Sequence, residues 1–122
     1  MSINWGLHST ATCDTSRVLS GRTLFKAEVD EALLRKDLDS MGLSGPILGI
    51  ISDRYIRRAG QDTWLQVGTS GEKDSNFPIL WDSTSVENGD YEMLEQTQVV
   101  VKEGTAQSTI TRQNIVRVEV KN

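Results

Sequence analysis

Histidine and cysteine side chains supply many of the nucleophiles, general bases and metal ligands of proteins, and this 122-residue chain contains one of each. His8 and Cys13 lie close together near the start of the chain. A serine-histidine-aspartate triad requires a histidine that a third group holds rigidly, and a structural zinc ion requires about four ligands. No motif around His8 and Cys13 meets either requirement. The sequence therefore predicts a protein that is not an enzyme and has no cofactor and no metal site.

Acidic and amide side chains are concentrated in one short stretch, which is the best candidate for a calcium site. Calcium binds several converging oxygens, and the candidates here are Asp82, Glu87, Asn88 and Asp90. The other interpretation is turn chemistry, in which aspartate and asparagine side chains bond to nearby backbone groups. We favour turn chemistry, because Asn88 and Gly89 tolerate a positive φ and together form a signal for chain reversal.

Aromatic side chains offer a binding function in place of a catalytic one. Trp64 and Trp81, with Trp5 and Tyr55, have the composition of a platform on which a sugar stacks. We expect Trp81 in the core and Trp64 on a short strand with apolar neighbours, which leaves Trp5 as the exposed tryptophan. Exposed aromatic side chains are common anchors at protein interfaces. The candidate partner-binding residues are therefore the isolated apolar side chains near the N-terminus, Ile3, Trp5 and Leu7.

Charge and hydropathy exclude other classes of partner. The formal net charge is −4, whereas nucleic-acid-binding domains carry a basic patch. We find neither the apolar run of about 18 residues that spans a membrane nor the basic and apolar regions of a secretory signal. We therefore expect no nucleic-acid or membrane binding. If Met1 is the native start, we expect synthesis in the cytoplasm, where the protein either stays or from which it leaves by another route, such as lysis or a dedicated machine, with a virion as one destination. An extracellular surface is the alternative if the chain is a fragment.

The elements that would position these residues are mostly strands. Residues 1–20 are predicted to form an N-terminal arm or edge segment, and residues 21–122 one domain. Apolar and polar residues alternate over 22–30, as in a strand. A helix is predicted over 31–41, where Asp30 is the N-cap and Gly42 ends the helix. The competing interpretation extends the strand to Leu33 and places a loop over 35–45.

Further strand signals follow at intervals of about ten residues. We leave open whether Tyr55 and Ile56 continue the apolar strand before them, which has the composition of a buried strand, or form a separate one. The polar, glycine-rich segment 68–76 is predicted to be an exposed loop. About seven short strands and one helix favour an all-β sandwich. The remaining predicted strands are 47–51, 63–67, 78–81, one from Tyr91 to a hairpin turn at 102–105, and one that ends with Val116, Val118 and Val120.

Two segments resemble the immunoglobulin-like (Ig-like) repeats of bacterial proteins, which also occur on phage virions. The first is Trp81-Asp82-Ser83-Thr84 followed by Asn88-Gly89-Asp90-Tyr91, and the second is the alternating valine segment 116–122. The resemblance covers about the last 75 residues, and the helix candidate departs from it. It implies an Ig-like sandwich of about seven strands with Trp81 and Tyr91 in the core. It implies no activity, because this fold has many unrelated functions.

These inferences lead to two hypotheses from different classes. The first is a structural module that binds other proteins in a larger assembly, such as a capsid decoration protein or a tail or neck accessory of a phage particle. Capsid or tail subunits would be its partners, and edge strands or the arm would extend a neighbour's sheet. The alternative is a glycan-binding or adhesive Ig-like module of a bacterial surface protein.

Overall fold

The computed structural model describes the backbone of residues 9–11 and the backbone and side chains of residues 18–122. The chain there is mostly β-structure with one short helix, in agreement with the predicted all-β, sandwich-like fold. Two 3-10 turns, Lys73–Ser75 and Ser83–Ser85, complete the described elements. The helix and strands are β1 (Ser9–Ala11), β2 (Val18–Leu19), β3 (Arg22–Phe25), β4 (Ala27–Val29), α1 (Glu31–Ser40), β5 (Ile47–Arg58), β6 (Leu65–Ser70), β7 (Ile79–Asp82), β8 (Gly89–Glu103) and β9 (Ala106–Val120).

The strands form one large sheet and two small ones. The large sheet has five strands in the order β2-β9-β8-β5-β6, and the small sheets pair β3 with β7 and β1 with β4. All pairs are antiparallel except β2 with β9. Strands β1 and β2 lie within the predicted arm, and its boundary at residue 20 stays a prediction. The predicted hairpin turn is confirmed, since β8 and β9 meet at Gly104, whose φ is 60°.

The helix is confirmed, and its sequence explains both of its ends. The Asp30 carboxylate accepts a hydrogen bond from the Leu33 N–H at 3.0 Å, which satisfies one of the free donors of the first turn. Leu34 and Leu38 lie one turn apart and are fully buried. Gly42 follows the helix with a φ of 79°, a conformation that glycine adopts without strain. The alternative of a loop over 35–45 is therefore wrong.

The apolar run at residues 47–51 is not buried on both faces as its composition suggested. It belongs to one continuous strand, β5, and among its members Ile50 is buried while Leu48 and Ile51 are exposed. The strand continues straight through Ser52 and Asp53, so Tyr55 and Ile56 do not form a separate strand. The pairing of β5 with β8 shifts register between Ile47 and Gly49, so Leu48 lies in a bulge, and the alternation of buried and exposed residues expected of an antiparallel strand begins at Ile50 and Ile51.

The predicted loop at 68–76 begins too early, because β6 extends to Ser70. Gly68 is required inside this strand. A β-carbon added to it would lie 2.6 Å from Cγ2 of Ile79 on β7, and real β-carbons do not approach other atoms so closely. The glycine that suggested a loop instead allows the two sheets to pack closely together.

The segment between β7 and β8 also differs from the prediction. The 3-10 turn Ser83–Ser85 bends the chain, and Asn88 does not have a positive φ. The Asn88 side chain instead accepts a hydrogen bond from the Asn122 N–H at 3.0 Å. Gly89 opens β8 with a φ of 148°. Trp81 is only half-buried at the margin of the core, whereas Tyr91 is buried as expected.

The core consists of two hydrophobic clusters separated by polar residues. We call the polar residues between them, Ser52, Arg54, Glu95, Thr97 and Arg112, the polar belt. They share the inner face of β5, β8 and β9, because Arg54 pairs with Glu95 and Thr97 pairs with Arg112. The cluster beneath α1 includes Leu34, Leu38, Ile50, Phe77, Val99, Val101 and Ile110, and the other includes Phe25, Ile56, Ile79, Tyr91, Met93, Val118 and Val120.

Candidate interaction surface

The predicted partner-binding residues cannot be compared with the structure. Ile3, Trp5 and Leu7 lie outside the described residues, and so do His8 and Cys13. Within the described ranges, no group of three or more histidine, cysteine, aspartate or glutamate side chains is arranged to hold a metal ion. None of the described helices is long and apolar enough to cross a membrane.

Asp82, Glu87 and Asn88, three of the calcium candidates around β7 and β8, already have partners within the protein. The Asp82 carboxylate accepts hydrogen bonds from the Thr84 N–H at 3.0 Å and the Thr84 hydroxyl at 2.7 Å. These two bonds hold the pKa of Asp82 below its ordinary value. The Glu87 carboxylate pairs with Arg58 at 3.1 Å. The contacts of Asp82 are those expected from turn chemistry.

The outer face of the five-stranded sheet has an apolar row at its centre. Tyr55 on β5 lies opposite Leu94 on β8, which in turn lies opposite Ile115 on β9. Side chains directly opposite one another in an antiparallel sheet share a face and contact each other. Ile115 is 51% exposed, Leu94 is nearly buried and Tyr55 is half-buried. The three side chains form a continuous apolar row, with Ile115 as its most accessible member.

A row of amide side chains runs along one side of the apolar row. The Asp53 carboxylate accepts hydrogen bonds from the Gln98 amide at 3.2 Å and the Gln96 amide at 3.5 Å. Gln113 then donates to the Gln96 carbonyl at 2.8 Å. Asp53 is only 6% exposed although it lies on the outer face. The amides therefore both cover the carboxylate and fix one another's orientation.

A row of charged side chains runs along the other side. Arg57 forms an ion pair with Glu92, with 3.1 Å between Nε and Oε1, and Glu92 lies opposite Arg117 on β9. The Arg57 guanidinium also stacks over the Trp64 ring, 4.3 Å from its centroid. An arginine held by both a carboxylate and an aromatic ring has little freedom left to lose when a partner binds.

These three rows define the surface that we call the outer-face patch, with residues from three adjacent strands. Its apolar centre and polar margins match the anatomy of a protein interface, in which a hydrophobic core is surrounded by a polar rim. Sequence reasoning missed it. Leu94 and Ile115 are far apart in sequence, and their contact depends on the register of β8 with β9. The alternation within each strand was a signal, but it did not say which positions face each other.

On the opposite face of the sheet, the polar belt contains a buried ion pair between residues that lie opposite each other on β5 and β8. Arg54 is 2% exposed, and its Nη1 lies 2.7 Å from Oε1 of Glu95. Its guanidinium also lies 4.7 Å from the centroid of the Phe25 ring, and Nη2 donates to the Lys26 carbonyl at 3.3 Å. Burial lowers the pKa of Arg112 in the same belt, while the carboxylates of Asp37 and Glu95 oppose that change.

The described residues also form a surface cleft of about 230 Å³ where β8 and β9 meet β2. Asp90, Arg117 and Glu119 line it, and Tyr91 contributes to its wall. None of the described lining residues is a histidine, cysteine, serine or lysine.

Comparison of the chain with protein-family models, with curated proteins and with solved structures yields no match.

Proposed function

We propose that the protein is a non-enzymatic, Ig-like β-sandwich that binds another protein through the outer-face patch. The observation that carries this proposal is the row Tyr55, Leu94 and Ile115, which crosses three strands between an amide row and a charged row. Tyrosine, tryptophan and arginine are the residues that most often dominate binding energy. The patch has all three, because Arg57 stacks on Trp64 beside Tyr55.

The strand order supports the Ig-like part of the proposal. Ig-like sandwiches pair the strands called G, F and C in that order, extended by C′ in variable-type domains, and pair B with E in the second sheet. The orders β9-β8-β5-β6 and β3-β7 correspond to these two arrangements. The Tyr91 hydroxyl also donates to the Glu87 carbonyl at 2.6 Å, like the tyrosine corner of that fold. The helix α1 would then be an insertion between strands B and C.

The flatness and rigidity of the patch favour a protein over a small molecule. Small molecules bind in concave pockets that cover most of their surface. The patch instead lies on a sheet face, and hydrogen bonds or ion pairs restrain Gln96, Gln113 and Arg57. A partner with a matching flat surface would bury Ile115 and retain the polar contacts at the margins.

A phage particle is the setting that we propose, with capsid or tail subunits as partners. The segment from Trp81 to Tyr91 and the segment 116–122 both resemble Ig-like repeats, which also occur on phage virions, and this resemblance supports the setting. Sedimentation of the purified protein with particles of a candidate phage, followed by detection in the particle fraction, tests it. Failure to sediment with any particle whose genome encodes the chain would overturn the setting but not the use of the outer-face patch.

Substitution of one exposed apolar residue tests the patch itself. Ile115→Lys places a charge in the apolar row, and we expect it to weaken capture of the partner at least about tenfold, because a buried unpaired charge is costly. Leu48→Lys is the matched control, since Leu48 is 48% exposed and lies on β5 outside the row. Chemical cross-linking in the native host, followed by mass spectrometry, identifies and quantifies the partner. Equal capture by the wild type and by Ile115→Lys would overturn the proposal.

A neutral glycan is the second candidate, favoured by the amide row next to Tyr55. Amide groups donate and accept hydrogen bonds, as sugar hydroxyls do, and an aromatic ring offers a face for stacking. A glycan array distinguishes the two candidates. Signals that Gln113→Ala abolishes and Ile115→Lys retains would favour the glycan, whereas the absence of any glycan signal would exclude it.

A further inference from the structure

We propose that the open edge of β7 accepts an extended, basic segment of another protein as an added strand. This site lies on the small sheet, away from the outer-face patch, and does not depend on it. Adding a strand to an exposed edge is a common mode of peptide recognition, in which backbone hydrogen bonds provide affinity and alternate side chains provide specificity.

The topology of residues 9–11 and 18–122 leaves this edge open. Among the described residues, β7 has one neighbouring strand, β3, with Leu80 opposite Leu24 and Ile79 opposite Phe25. A strand at the edge of a sheet presents unpaired N–H and C=O groups along its free side. Pro78 precedes β7 and does not interrupt it. The strand can therefore receive a new neighbour without rearrangement of its existing ladder.

Exposed leucines mark the same strand pair. Leu80 is 63% exposed and is the most exposed large hydrophobic residue among those described, and Leu24 opposite it is 41% exposed. The two side chains lie on the outward face, since Phe25 and Ile79 point to the core. An added strand would place its own alternate side chains next to Leu80 on this face. The leucine pair would thus be partly covered when the segment binds.

The β7 strand is held rigidly from beneath. Ile79 is 3% exposed, and its Cγ2 would lie 2.6 Å from a β-carbon added at Gly68 of β6, so a side chain there would displace Ile79. At the end of the strand, the Ser83 N–H donates to the Gly21 carbonyl at 2.9 Å. A preformed edge costs little conformational entropy when a segment binds.

The acidic charge around β7 favours a basic segment as the added strand. The segment 71–87, which contains β7, has four acidic residues and one lysine, a formal charge of −3. The lysine, Lys73, already pairs with Glu31 at 2.8 Å, and Arg22 on β3 lies opposite Asp82, so Glu72 and Asp74 remain to attract basic side chains. Two copies of this edge would bring these carboxylates together, which opposes pairing of β7 with β7 of a second molecule. Lysine or arginine residues that flank alternating apolar residues match the edge instead.

Display of a library of short random peptides against the purified protein tests this proposal. We expect enriched peptides to alternate apolar and polar residues and to have lysine or arginine near their ends. Leu80→Lys should weaken their binding at least about tenfold, and replacement of a central peptide residue with proline should abolish it, because proline cannot donate to the ladder. Ile115→Lys is the control variant and should bind the peptides like the wild type.

Backbone NMR then locates the site. When the peptide binds, we expect the amide protons of β7 to become protected from exchange. We also expect the spectra to show contacts between the backbone of β7 and the peptide. Glu72→Lys, a second variant at an exposed position whose side chain makes no cap hydrogen bond, should reduce the affinity for the basic peptides without loss of fold. Three results would overturn the proposal: no enriched peptide, equal binding by Leu80→Lys, or dimerisation of the protein through β7 in sedimentation experiments. A loss caused by Ile115→Lys alone would instead support the outer-face patch.

Discussion

The Arg54 guanidinium and the Glu95 carboxylate form an ion pair of 2.7 Å across β5 and β8, in the middle of the inner face of the sheet. On the outer face of the same two strands, Arg57 and Glu92 form an ion pair of 3.1 Å. The two pairs have the same chemistry and join the same strands. They differ in burial, because Arg54 is almost fully buried whereas Arg57 and Glu92 are partly accessible.

Because Arg54 is more deeply buried than Arg57, its replacement should lower the stability of the protein more. Arg54→Met removes the cation beside the nearly buried Glu95 and the donor to the Lys26 carbonyl, so we expect a loss of about 3 kcal/mol in the free energy of unfolding. Arg57→Met is the matched control, and its partly accessible ion pair should contribute about 1 kcal/mol or less. Urea unfolding of both variants measures the difference. Equal losses would contradict a structural role for the polar belt.

The helix should stabilise one half of the core. Leu38 is fully buried beneath α1, so Leu38→Ala is expected to lower the free energy of unfolding by about 2–5 kcal/mol through lost contacts and a cavity. Leu48→Ala is the control, because this leucine is half-exposed on β5 and should cost about 1 kcal/mol or less. Thermal and urea unfolding of the two variants provide the comparison. Losses of the same size would mean that α1 does not pack as described.

Gly68 should not tolerate a side chain. Gly68→Ala directs a β-carbon to within 2.6 Å of Ile79 Cγ2, and we expect a loss of about 1–3 kcal/mol from overpacking. Gly49→Ala, in β5, is the matched control, since no atom lies within 4 Å of the added carbon. This control should be neutral or slightly stabilising, because alanine reduces the freedom of the unfolded chain. A neutral Gly68→Ala would show that β6 and β7 are farther apart than described.

Acidic pH should remove the contribution that the charged Asp82 carboxylate makes to the stability of the fold. Its folded-state pKa lies below the ordinary value of 3.8 because the Thr84 hydroxyl and N–H donate to its carboxylate. A depressed pKa contributes stability that is complete above the unfolded-state pKa and is lost as the pH falls through the folded-state pKa. Asp82→Asn keeps an acceptor oxygen but removes the charge. We expect its melting temperature to be lower than that of the wild type near neutral pH.

The difference in melting temperature between the wild type and Asp82→Asn should become smaller as the pH falls and the Asp82 carboxylate becomes protonated. Thermal unfolding at a series of values from neutral pH down to about pH 2.5 measures it. A difference that is the same at every pH would mean that the charge of Asp82 is not responsible.

Sequence reasoning predicted the elements whose signals are local. The N-cap at Asp30 and the stop at Gly42 bound a helix of ten residues, and the signals at both of its ends are local. The turn at Gly104 depends on one glycine with a positive φ. In each case the residues that determine the structure are neighbours in sequence, so propensity and periodicity were sufficient.

The elements that sequence reasoning missed depend on contacts between distant residues. Gly68 resembled a loop residue because the approach of Ile79 cannot be read from the chain around it. Asn88 resembled a turn residue, but its side chain binds the Asn122 N–H at the end of the chain. The outer-face patch required the register of three strands, which local alternation does not provide.

The polar belt has a further consequence for how the long strands find their partners. Strands of 12 and 15 residues, such as β5 and β8, can pair in several alignments that differ by one residue. A slip of one position would turn Arg54 outward and bring Asp53 into the apolar interior, opposite the inward-facing carboxylate of Glu95. Such an alignment would bury two like charges and remove the Arg54 cation that neutralises Glu95 in the observed alignment. The charges in the middle of the sandwich thus make misaligned pairings of β5 with β8 less stable than the observed one.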